Sequence, residues 1–108
     1  MNDLEQIIHA LLEPIAPTYP EHLPEKSPLP ALVYQRQGGQ THNTSCDDDY
    51  TADFRIAVYA KHARERASLV QKTRDAMRDA GFEPEQAPVY EFDFNLKAHV
   101  AVLIYLVG

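Results

Sequence analysis

Residues 53–77 read DFRIAVYAKHARERASLVQKTRDAM, and the hydrophobic period changes partway along. In the first part the side chains alternate. With Tyr50 and Ala52 added, Phe54, Ile56 and Val58 fall on one side and Asp53, Arg55, Ala57 and Tyr59 on the other, which predicts a half-buried strand over 50–60. In the second part Ala63, Ala67, Leu69, Val70, Thr73, Ala76, Met77 and Ala80 recur at helical spacing, predicting a helix over 62–80 that stops at Gly81. The helix's buried stripe is mostly alanine, which permits close approach to a sheet.

Working outward, residues 89–94 and 99–107 read as two further strands with Asn95 and Leu96 at the turn, and residues 31–37 (ALVYQRQ) as a strand ending at Gly38-Gly39. Near the start, Leu4, Ile7, Ile8, Leu11 and Leu12 lie on one helical face, with Asn2 or Asp3 as N-cap and Pro14 as the stop. The predicted fold is α+β: a four-stranded, mainly antiparallel sheet with two helices packed on one face, in the order α-β-β-α-β-β. The 108 residues form a single domain, 1–108, interrupted by a Pro-rich arm (14–30) and an acidic loop (40–49). Six of the eight prolines fall in that arm, which is long for a connection and is therefore a candidate contact arm.

The last strand is apolar on both sides. Val100, Val102, Ile104 and Leu106 alternate with Ala101, Leu103, Tyr105 and Val107. Two short helices shield one face of a four-stranded sheet, so the other face, joined by Tyr59 and by Tyr34 or Val33 according to register, is expected to meet either a second molecule or the folded-back Pro-rich arm.

Composition narrows the function classes. The chain carries 10 basic and 16 acidic side chains, a net charge of −6, which argues against nucleic acid as principal ligand. Yet residues 61–80 hold six of those bases and only three acids, a local +3 in a remainder of −9. A basic helix meeting an acidic segment of a neighbouring copy would be a head-to-tail contact, which closes into rings or runs on as filaments; a solvated face is the ordinary alternative. The apolar runs are too short for a membrane span, and the acidic, interrupted start does not read as a signal peptide, which places the chain in the cytoplasm of the cell that makes it. One cysteine, Cys46, makes no internal disulfide.

Chemistry is sparse. Cys46, Asp47, Asp48, Asp49 and His42 do not match a calcium-loop or zinc pattern, and a solvated loop is the simpler reading. Glu91, Asp93 and His99 alternate near the last hairpin as a general acid/base set would, and as the polar side of any hairpin does. No glycine-rich phosphate loop is present. No catalytic residue, metal or cofactor is assigned, and the reading is of a protein that is not an enzyme.

The short amphipathic helix, the Pro-rich entry to PALVYQRQGG, the DFRIAVYAKHARERASLVQKTRDAM unit and the closing YEFDFNLKAHVAVLIYLV together resemble the small tail terminator, or tail completion, proteins of long-tailed phages and prophages, including the lambda type. The resemblance spans about 4–107. It implies a structural virion-tail protein that forms a homo-oligomeric, typically hexameric ring on the last tail-tube subunits, stops their polymerisation and provides a surface for a head-completion or neck protein. DNA would pass through without specific binding, and an acidic lumen would favour that passage. The site residues expected on this basis are Leu103, Tyr105, Val107, Tyr59, Arg64, Arg66, Arg74 and Arg78 at intersubunit contacts, and Asp47, Asp48 and Asp49 facing the channel or tube. Alternatives are an adaptor of the same class elsewhere in the neck, connector or baseplate, and, third, a small acid/base enzyme using Glu91, Asp93 or His99.

Overall fold

The computed structural model describes residues 3–40 and 51–107. The elements are α1 (Asp3–Leu12), β1 (Thr18–Pro20), β2 (Ala31–Gln40), β3 (Thr51–Ala60), α2 (Ala63–Asp79), β4 (Val89–Asp93) and β5 (Ala98–Val107). They build one mixed five-stranded sheet in the order β1-β2-β3-β5-β4.

Two points correct the sequence reading. The sheet has five strands because residues 18–20 of the Pro-rich arm run parallel to β2, opposite Leu32, Val33 and Tyr34. Three residues containing a proline give no periodic signal, and they pair only at the sheet's edge, where a missing N–H is tolerated. The strand is pinned at both ends, Leu32 N–H donating to the Pro17 carbonyl (2.8 Å) and Glu21 N–H to the Tyr34 carbonyl (2.9 Å). In addition, β2 does not stop at Gly38-Gly39. It continues to Gln40 through a register shift between Arg36 and Gly39, the signature of a β-bulge. The element order is therefore α-β-β-β-α-β-β.

Both helices cover one face, as expected. Ile8, Leu12, Leu69, Val70 and Met77 pack against Leu32, Tyr34, Phe54, Ile56, Val58, Ala101, Leu103 and Tyr105. The seam of α2 is narrow because it is made of residues spaced three or four apart. Just ahead of its N-cap residue, His62, the Lys61 N–H donates to Glu65 Oε1 at 3.2 Å. A Schellman motif closes its end: Phe82 N–H donates to the Met77 carbonyl and Gly81 N–H to the Arg78 carbonyl, both at 2.9 Å, with Gly81 at φ +94°. Phe82 then tucks against the core.

The opposite face is less bare than the last strand's composition predicts. Ala98, Val100 and Val102 are buried there under Leu29, Tyr59 and Ile104. Leu29 comes from the Pro-rich arm, so this stretch of the arm does fold back over the sheet.

Candidate functional site

The apolar surface left exposed gathers at the opposite edge from β1. Along β4 and the turn after it, Val89, Tyr90, Phe92, Phe94 and Leu96 stand in solvent, Tyr90 at 53% and Phe94 at 81% of full exposure. Soluble proteins usually blunt an edge strand with lysine, proline or a bulge. Strand β4, VYEFD, is short and carries Glu91 and Asp93 but no lysine or proline, and its register against β5 runs unbroken from Val89–Val102 to Asp93–Ala98.

The edge is held in shape. Arg66 of α2 donates from Nη1 to the carbonyls of Glu91 and Val100, each at 3.2 Å, and its guanidinium lies 4.7 Å from the Tyr90 ring centre. Because Glu91 and Val100 are cross-strand partners, one side chain ties β4, β5 and α2 together. At the turn, Asp93 Oδ1 accepts the N–H groups of Asn95 and Leu96 at 3.0 Å, and Lys97 takes φ +53°. Phe92 stacks edge-on against both Phe94 (5.0 Å) and His99 (5.1 Å).

The expected interface residues do not form one patch. Leu103 and Tyr105, each 1% exposed, point under the helices, whereas Tyr59 pairs with Val100 and lies on the other face. The alternation of β5 explains this, since Tyr59 shares a side with the even-numbered residues. Val107 ends β5 opposite Ala52. Arg66 is engaged within the chain, and Arg78 pairs with Asp75 at 2.9 Å. Arg74 and Arg78 line a small cleft with Phe82, Glu83, Pro84 and Tyr105. Arg64 lies elsewhere, in an open groove of about 710 Å³ with His62, Glu65, Ser68, Leu69 and Lys72. Asp47, Asp48, Asp49, His42 and Cys46 lie outside the described residues.

The acid/base set does not converge. Glu91 and Asp93 share the side of Val100 and Ala98, while His99 faces the other way opposite Phe92. Among the described residues no group of three or more His, Cys, Asp or Glu side chains is arranged to hold a metal ion, and no helix is long and apolar enough to cross a membrane. The resolved titration shifts belong to tyrosines. Burial is the main cause at Tyr34, Tyr59 and Tyr105, and it raises all three above the usual value of 10.0.

Sequence reasoning missed the hairpin's exposure. Tyr90, Phe92 and Phe94 alternate with acids and look like an inward-facing strand; only their place at an edge makes them a surface. The described residues thus form an α+β scaffold with an exposed apolar edge at β4. Residues 6–100 match the family described as Tail completion protein gp17, and the chain belongs to this family of phage tail completion proteins. It is thereby a structural phage-tail protein and a component of the virion tail. No curated protein matches the sequence significantly.

Proposed function

We propose that this protein is a tail terminator, which assembles as a homo-hexameric ring on the last ring of tail-tube subunits, stops their polymerisation and presents the surface on which a head-completion or neck protein docks. The observation that carries the reading is the family match over residues 6–100. The exposed β4–β5 hairpin supports it, because a ring subunit needs apolar surface that a lone domain would hide. Asp47, Asp48 and Asp49 are proposed to line the channel or face the tube, where acidic side chains would keep DNA phosphates from adhering.

Purified protein added to polymerising tail-tube subunits tests the proposal. Tubes are expected to stop elongating and to carry ring-shaped caps in electron micrographs; a length distribution unchanged across a range of protein concentrations would refute termination. Charge reversal of the three aspartates is expected to impair DNA passage while leaving caps in place.

A further inference from the structure

We infer that the copies join head to tail, the β4–β5 hairpin of one seating in the groove along α2 of the next; this rests on the ring reading above. The two surfaces are complementary. From Glu83 to Phe94 the chain carries four acids (Glu83, Glu85, Glu91, Asp93) and no base, Lys97 of the turn being the first one after it, and Phe92 and Phe94 are exposed. The groove has an apolar floor in Leu69 and is flanked by Arg64 and Lys72, with Glu65 as its one acid. Arg64 makes no ion pair within the described residues, in contrast to Arg78, which is satisfied by Asp75.

Position supports the same pairing. At about 100° per residue, Glu65, Leu69 and Lys72 lie on one flank of α2 and Arg74 and Arg78 on the other. The second flank abuts Phe82–Pro84 and Tyr105, on the side of β4. The groove therefore opens away from the chain's own hairpin. Each copy then has one donor surface and one acceptor surface on different sides, the arrangement of a heterologous contact, which closes into a ring when the rotation between copies allows it. Apolar anchors ringed by opposite charges also suit a contact that must select its own kind.

Cysteine pairing tests it in the full-length chain. In a Cys46→Ser background, Ser68→Cys and Phe94→Cys replace two exposed side chains. Oxidation, of the free protein and of protein capping tubes, is expected to give a ladder of interchain disulfides only when both cysteines are present. A link from Phe94→Cys alone would mean that two hairpins meet, a link to the tube subunit would mean that the tube occupies one of these surfaces, and absence of any link in both settings would mean no contact; each overturns the inference. Caps without the link would remove this contact and leave termination standing, whereas linked rings that leave tube length unchanged would do the reverse. As a second measurement, Arg64→Glu/Lys72→Glu and Glu91→Lys/Asp93→Asn, the asparagine keeping the side-chain acceptor of the turn, are each expected to weaken self-association about tenfold or more. Mixing the two variants restores it if the surfaces meet, and failure of the mixture, with both variants folded by circular dichroism, overturns the pairing.

Discussion

Thr73 is the one fully buried polar side chain among the described residues, and its Oγ1 has no hydrogen-bond partner there. A buried hydroxyl left unpaired costs about 1–3 kcal/mol, and valine reproduces its shape without the polar atom. Thr73→Val is therefore expected to stabilise the protein by about 1 kcal/mol, raising the thermal midpoint by about 4 °C. Gly81 gives the opposite sign for a different reason. A Cβ there would meet nothing within 4 Å, so the obstacle to Gly81→Ala is the φ of +94° alone. The expected loss is about 1 kcal/mol, read from urea unfolding with an unchanged slope. Tyr105 sets a pH dependence. Burial raises it above 10.0, with Glu83 adding to the rise and Arg74 opposing it. The unfolded chain releases this proton first as pH climbs, so the folded state binds more protons between the two values and stability falls. The contribution is intact below pH 10.0 and is lost as pH rises through the folded value. Tyr105→Phe is expected to shallow that alkaline decline in urea titrations from neutral pH upward, with Tyr34 and Tyr59, raised for the same reason, contributing to what remains.

At the scale of elements, β4 depends on α2 through Arg66. Its two carbonyl bonds and its place over Tyr90 need a planar, multiply donating head, which lysine does not provide. Arg66→Lys and Arg66→Met should both loosen the edge, costing about 1 kcal/mol for a pair of partly exposed bonds, and hydrogen exchange should quicken in β4 more than in β3. Unchanged exchange in β4 would show that the strand holds without the tie. The same elements show what the sequence discloses. The alternation of β3 and the 3.6-residue period of α2 belong to single elements, and both are plain in the chain. So is the arrest at Gly81, because only a left-handed residue ends that helix so compactly. Strand β1 is hidden since its partner, β2, is distant in sequence and its own three residues carry no period. The exposed apolar edge is hidden for a related reason. Tyr90, Phe92 and Phe94 have the pattern of a buried strand, and it is strand order, a property of the assembled sheet, that places them outside. Leu103 and Tyr105 were legible as apolar but not as inward, because β5 is apolar on both sides and composition alone cannot say which side the helices take.

For the whole molecule, the question is how an anionic chain with a basic segment behaves as a subunit. The net charge of −6 makes copies repel at long range, while in the proposed contact the local contrast between the hairpin and the α2 groove would favour one relative orientation at short range. Two kinds of interaction at the proposed contact then respond differently to salt. The pairs formed by Arg64 and Lys72 with Glu91 and Asp93 are screened once the Debye length falls from about 10 Å at 0.1 M to about 3 Å at 1 M, whereas burial of Phe92 and Phe94 is not weakened by screening. Self-association measured by sedimentation is thus expected to weaken as salt rises and then level off at an apolar residue of affinity. Phe94→Ala should lower the whole curve with its slope kept, and Arg64→Gln/Lys72→Gln should flatten the slope. A wild-type slope of zero, or a Phe94→Ala curve that coincides with the wild type, would separate the hairpin from the joining of copies and direct the search to the other exposed apolar positions, Ile7 and Leu106.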